Sequence, residues 1–163
     1  MKVLVAVDDS EVSLKAVSLT ASVFGPRQDV DVTLFHVVES LPEFILARSN
    51  QGGADNVYRQ VAEECAEACR THGSKLLTDY SQKLSTAGLA AGRVHTKLAQ
   101  KEARPEARRV IAALAIIEEM KQGNYDIVII GRRSNTACAD TFIGGVAEKV
   151  TREGHGRTIW IVD

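Results

Sequence analysis

Two polar segments, each following directly on a run of apolar residues, are where this sequence can do chemistry. The first is Asp8-Asp9-Ser10, which ends the run Val3-Leu4-Val5-Ala6-Val7. Carboxylates there suit a magnesium ion accompanying a polyphosphate, or Asp9 simply opens a helix, where a negative charge favours the dipole. The second begins at Gly131, after Ile127-Val128-Ile129-Ile130, and runs through Arg132, Arg133 and Ser134 to Gly144-Gly145-Val146. Glycines let backbone approach phosphate closely and adopt positive φ, and amides opening a helix point at negative charge. Arg132 and Arg133 add guanidinium groups well matched to phosphate. A third set, Cys65, Cys69 and His72, has the i, i+4, i+7 spacing of one helix face. Three metal ligands from one helix make an unusual site, and cysteine is common as a small buried apolar residue, so no metal is expected there. Cys138 falls inside the glycine-spaced segment and reads as a surface thiol.

Other chemistries lack their residues. His36, His95 and His155 have no serine or cysteine at a recognisable spacing, so no catalytic triad is assigned. Neither G-x-x-x-x-G-K-[ST], nor G-x-G-x-x-G after a strand, nor H-E-x-x-H occurs, which argues against a P-loop ATPase, a Rossmann dehydrogenase and a zincin. No general base is placed, so any ATP hydrolysis should be slow at most. The 163 residues carry a net charge of −1, against a nucleic-acid binder, and Lys97, Lys101, Arg104, Arg108 and Arg109 are interleaved with Glu102 and Glu106. No apolar run approaches the ~20 residues that span a bilayer, and MKVLVAVDDS does not read as a signal peptide. Three cysteines and no CxxC fit a reducing cytoplasm.

The elements that must position these residues follow from periodicity. Val3–Val7 and Ile127–Ile130 are continuous apolar runs, the pattern of strands buried on both faces. After Ser10 the spacing becomes helical, with Val12, Ala16, Leu19 and Val23 read as the inner face, until Gly25-Pro26 stops it. Val30–Val38 is a second strand. Residues 39–56, with Pro42 and Gly52-Gly53, read as a long loop. A long helix follows from Asp55 to Ala87, its apolar positions including Val57, Val61, Cys65, Ala68, Leu77, Tyr80 and Leu84, with a bend expected at Gly73. Arg93–Leu98 alternates strictly, which predicts a strand at or near a sheet edge. Pro105 suits the first turn of the next helix, whose stripe is Val110, Leu114, Ile117 and Met120, and Gly123-Asn124 ends it. A last helix from about Thr141 to Glu153 leads to the strand Thr158–Val162.

Strands alternating with helices predict one α/β domain over residues 1–163, doubly wound, with four helices flanking a five-stranded parallel sheet of order 3-2-1-4-5. In such a sheet the ligand lies beyond the carboxyl ends of the strands where the order reverses, between strands 1 and 4. Asp8 and Gly131 sit at those two ends.

The segment from Gly131 to Val150 resembles the universal stress protein family, whose signature is G-x2-G-x9-G-[ST] between the fourth strand and the last helix. KVLVAVDDS, LFHVVE, IGGVAEKVTR and TIWIV are similar to that family's corresponding segments, so the resemblance covers nearly the whole chain. It implies a stress-response protein binding ATP or another adenine nucleotide, with or without Mg2+. It places Asp8 on the adenosine portion with Val7 beside it, Val37 on the adenine, and Gly131, Ser134, Gly144, Gly145 and Val146 along the phosphates. Two signature positions depart: the second glycine is Ser134, and the hydroxyl residue after the third is Gly145.

The final strand is short, apolar and free of internal charge or proline, yet the topology puts it at an open edge. A homodimer through residues 157–162 is therefore expected, and the family is similarly known for dimers made through this strand. The alternative function is a nucleotide-free dimeric module of the same fold, docking on an unknown protein partner.

Overall fold

The computed structural model describes residues 1–40, 55–102, 108–132 and 144–163. They form a five-stranded, all-parallel sheet of order β3-β2-β1-β4-β5 with four α-helices. In chain order the elements are β1 (Lys2–Ala6), α1 (Glu11–Phe24), β2 (Asp31–Ser40) and α2 (Asp55–Thr86). Then come β3 (Val94–Glu102), α3 (Arg108–Gly123), β4 (Ile127–Gly131), α4 (Gly145–Glu153) and β5 (Thr158–Val162). The expected strand order holds.

The two apolar runs lie where two-faced burial requires. On one face Val3, Val5, Val32, Leu34 and Ile129 pack with Val17 and Phe24 of α1 and with Leu77, Tyr80 and Leu84 of α2. On the other, Leu4, Ala6, Phe35, Val128 and Ile130 pack with Ile116, Ile117 and Met120 of α3 and Val150 of α4. Consecutive residues of β1 thus serve opposite cores, as the period of two demands.

Several sequence expectations are corrected. Helix α1 buries Ser13, Ala16, Val17, Thr20 and Phe24, while Leu19 and Val23 are exposed. The inner face tolerates hydroxyls because they are satisfied locally: Thr20 Oγ1 donates to the Ala16 carbonyl at 2.8 Å. Helix α2 runs from Asp55 to Thr86 as one helix, as expected, and what the sequence did not show is the packing role of Gly73. A Cβ at Gly73 would lie 2.8 Å from His36, 2.9 Å from Leu98 and 3.1 Å from Val38, so the glycine is where the helix presses onto β2 and β3. Val61, Cys65 and Ala68 are exposed; Leu77, Tyr80 and Leu84 face inward as expected, joined on that stripe by Ala62 and Gly73. Likewise Leu114 of α3 is exposed, and Ile111, Ile116, Ile117 and Met120 turn inward.

Element ends move too. Residues Glu39 and Ser40 belong to β2, and Asp55 and Asn56 to α2, so the loop expected over 39–56 is shorter at both ends; 41–54 lie outside the described residues. Strand β3 runs to Glu102 rather than Leu98, paired with β2 along its whole length. Helix α4 begins at Gly145, not Thr141, with Gly144 in extended conformation as its cap. Gly123 is the last residue of α3 and Asn124 (φ 50°) takes the left-handed position after it. A side chain at Gly123 would run into the Tyr125 ring. That ring carries a hydroxyl which donates to buried Glu119 at 2.7 Å, and Lys97 of β3 reaches the other Glu119 oxygen at 2.6 Å. The polar face of the edge strand is thus tied to α3 while Lys97 and His95 stay exposed, as the alternation predicted.

Gly73→Val should lower stability by about 2 kcal/mol, since overpacking against three side chains outweighs the helix propensity gained. Gly92→Ala, where an added Cβ meets nothing within 4 Å, is the control. Urea denaturation reads both, and a Gly73→Val variant as stable as the parent would contradict the close packing.

Candidate functional site

The crevice is made by strands of unequal length. Strand β1 ends at Ala6, paired with Phe35 of β2 and Ile130 of β4. Strand β2 continues past Phe35 through residues 36–40, paired with β3 as far as Glu102. At about 3.3 Å per residue, this two-stranded wall overhangs the carboxyl ends of β1 and β4 by roughly 15 Å. One residue beyond the last β1–β4 pair stand Val7 and Gly131, side by side at the point where the strand order reverses.

The β1 side is a rigid lip. Val7 is buried, and its N–H donates to the Phe35 carbonyl at 2.9 Å. Ser10 caps α1 by accepting from Ser13 N at 3.1 Å. Asp8 Oδ1 in turn accepts from the Ser10 N–H at 3.1 Å, from the Ser13 hydroxyl at 2.6 Å, and from the Ser10 hydroxyl. The carboxylate thus sits just ahead of a helix N-terminus, where the dipole favours its charge.

Both carbonyls of the lip are also held. His36 Nδ1 lies 2.7 Å from the Val7 oxygen. That oxygen can only accept, so Nδ1 carries the proton, and in the neutral ring Nε2 is left as an acceptor. From α2, the Tyr80 hydroxyl donates to the Asp8 carbonyl at 3.2 Å. Burial raises the Tyr80 pKa, and the charges of Asp8 and Asp9 raise it further, so it remains a neutral donor. Asp9 itself is exposed.

The β4 side is built around Arg132. Its N–H donates to the Val162 carbonyl of β5 at 2.6 Å, and its carbonyl accepts from Gly144 N at 2.8 Å. These bonds join Arg132 to β5 and to Gly144; Arg133, Ser134 and Cys138 lie outside the described residues. The Arg132 guanidinium pairs with Asp163 at 2.8 Å. Gly144, buried and without a side-chain cap, leads into α4, so the amides of Gly145, Val146 and Ala147 open toward the crevice end of the helix. A Cβ on Gly145 would meet nothing within 4 Å, which leaves room there for a ligand or for a hydroxyl.

Of the other expected site residues, Val37 and Val146 pack, half-buried, against the same core cluster on the α3–α4 face of the sheet. Val7 belongs to the opposite cluster. The structure therefore gathers Val7, Asp8, Val37, Gly131, Arg132, Gly144, Gly145 and Val146 around one end of the sheet.

Sequence reasoning missed His36 and Tyr80, whose roles depend on contacts across 29 and 72 positions of the chain. It also missed a cleft of about 290 Å3 beside the lip, lined by Asp9, His36, Val38, Ala68, Cys69 and His72. The alternation of His36 and Val38 on β2 was the available signal for it. Cys65 and Cys69 are free and exposed, and among the described residues no group of three or more His, Cys, Asp or Glu is arranged to hold a metal.

The sequence model of the Universal stress protein family matches residues 1–155, and the chain belongs to that family. No match was found among curated proteins. Among solved structures, the universal stress protein UspA from Lactobacillus plantarum is similar with a TM-score of 0.74 at 16% identity, over 100% of this chain and 97% of the other. A universal stress protein in complex with cAMP gives 0.60 at 15% identity, over 99% and 95%. The universal stress protein from Archaeoglobus fulgidus in complex with dAMP gives 0.57 at 15% identity, over 100% and 98%. At these identities the likeness is one of fold. Among the described residues, no helix is long and apolar enough to cross a membrane.

Because the folded Tyr80 pKa lies above its ordinary 10.0, its contribution to stability is full below that pH and is lost as pH rises beyond it. Between about pH 9 and 11, Tyr80→Phe should therefore lose melting temperature less steeply than the parent. Parallel slopes in thermal melts would show that Tyr80 is not held by the lip.

Proposed function

We propose that residues 1–163 form one regulatory domain, cytoplasmic and acting in a stress response, that binds ATP or a related adenine nucleotide at the carboxyl end of the sheet. The observation that carries this reading is the crevice itself. A fixed carboxylate, Asp8, stands on its β1 side, and the first-turn amides of α4, without a side-chain cap among the described residues, stand on its β4 side. Phosphate fits the second side, since amides at a helix start and the adjacent Arg132 are donors only, and among the described residues no side chain crowds Gly145. The adenosine portion belongs at the other side, its ribose within reach of Asp8 and its base against Val37. Relatives of the same fold that hold cAMP and dAMP support an adenine nucleotide as the ligand class.

The chain's own groups bind and orient rather than react. Asp8 Oδ1 is committed to two serines, and no side chain described near Gly131 is a free general base. Hydrolysis of a bound triphosphate, if it occurs, is slow. A magnesium ion would be held chiefly by phosphate oxygens and water, with Asp8 and Asp9 as the carboxylates of the β1 side.

The second reading, association through β5, has its own observation. Trp160 stacks on Phe24 of the same chain, with ring centroids 5.6 Å apart, yet Ile161 on the same edge strand is 38% exposed. Pairing of β5 with a second copy about a twofold axis covers that edge. Such a dimer is compatible with nucleotide binding or, without it, with a protein-docking role.

Isothermal calorimetry with ATP, with and without magnesium, tests the first reading. Sub-millimolar binding is expected, and absence of heat at millimolar ATP would overturn it. Asp8→Ala should weaken ATP and adenosine by at least about tenfold and leave inorganic triphosphate unaffected. Equal losses for all three would remove Asp8 from the adenosine end. For the edge, light scattering at tens of micromolar should show a dimer that Ile161→Lys dissociates. A monomeric parent, or an Ile161→Lys variant that stays dimeric, would exclude this interface.

A further inference from the structure

Arg132 is the junction of three elements. Its amide closes the β4–β5 ladder on Val162 at 2.6 Å, and its carbonyl receives the Gly144 amide that begins α4 at 2.8 Å. Its guanidinium holds Asp163, the residue after β5, at 2.8 Å. Among the described residues, Arg132 is the arginine whose backbone adjoins the start of α4, yet its guanidinium is already paired with a carboxylate.

The two sides of that pair differ in exposure. The Arg132 side chain is 28% exposed and the Asp163 side chain 60%. The cation is thus fixed in the wall, while its partner stands in water and can rotate away at little cost. A pair so exposed is weak, and a phosphate group, with several oxygens and greater charge, competes with a single carboxylate for the guanidinium fork.

We propose that Asp163 is a built-in competitor for the nucleotide phosphates, displaced from Arg132 when a phosphate-bearing ligand seats at α4. The proposal rests on the nucleotide reading above and deepens it: occupancy of the site is set partly by a carboxylate on the edge strand. Two consequences follow. The handicap scales with phosphate, so it falls on ATP and spares adenosine. Displacement also frees the end of β5 from its side-chain tie to Arg132, so phosphate binding is communicated to the sheet edge while the backbone bond to Val162 remains.

Calorimetry on the full chain tests this with ATP and adenosine as probes, using Asp163→Asn, Arg132→Gln and the double variant. Asn keeps the shape and removes the charge, and position 163 lies outside both core clusters, so folding is not at stake. Asp163→Asn should tighten ATP about three- to five-fold and leave adenosine unchanged. Arg132→Gln should weaken ATP alone, and in its background Asp163→Asn should have no further effect. An ATP affinity that is unchanged or lowered by Asp163→Asn overturns the competition. So does a tightening that persists in the Arg132→Gln background, which would mark a general field effect instead. If the parent binds both probes but the variants do not separate them, only this inference fails. If neither probe binds any variant, the nucleotide reading itself falls, and this inference with it.

Discussion

A chain leaving the centre of a sheet must bring its polar backbone out of the core without orphaning it, and here a single carboxylate does most of that work. Asp8 gathers the Ser10 amide and the hydroxyls of Ser10 and Ser13 on one oxygen, which joins the end of β1 to the first turn of α1. The carbonyls on either side of that turn are taken by His36 from β2 and Tyr80 from α2. Four elements therefore meet at two residues. Buried backbone groups tolerate few omissions, so the turn has one conformation, and the crevice inherits its shape from it.

The packing of α2 follows from the same place. His36 can point its ring at the Val7 carbonyl only if the helix above leaves space for it, and Gly73 is the residue at that closest approach. A helix spanning Asp55–Thr86 thus crosses the sheet with its glycine over the lip of the site and with Leu77, Tyr80 and Leu84 over the core. The opposite layer is organised by α3, where Tyr125, Glu119 and Lys97 form a bonded chain from a helix end to the edge strand. Burial pushes the Tyr125 hydroxyl up to about 12, helped by bonding to Glu119, so it is a donor at any ordinary pH.

Much of this was legible from composition patterns, for a physical reason. Strands β1 and β4 are apolar on both faces because helices cover both, and that leaves runs such as Val3–Val7 unbroken; strand order and the location of the site follow from them. What was not legible depended on polar groups satisfied inside the fold. Ser13 and Thr20 occupy the inner face of α1, so counting apolar residues selected Leu19 and Val23 instead. Gly73 was read only as a bend, because a glycine's lack of side chain says nothing about what approaches it. His36 and Tyr80 acquire their roles only through partners distant in sequence. The strand ends were misjudged because β2 and β3 support each other beyond the point where their neighbours stop.

The two margins of the sheet are chemically unlike. Strand β3 carries Lys97 and Lys101, each tied to a glutamate of α3, whereas β5 carries Thr158, Ile159, Trp160, Ile161 and Val162 and no charge. A ladder whose margins were both apolar could recruit copies from either side and lengthen without limit. In the dimer proposed above, a joining copy meets the uncharged margin, β5. A twofold arrangement then consumes the apolar margin of both chains at once and leaves only lysine-bearing strands outermost. Under that reading the sheet unites two chains and no more, a limit set by the sequence of its edges rather than by the strength of their contact.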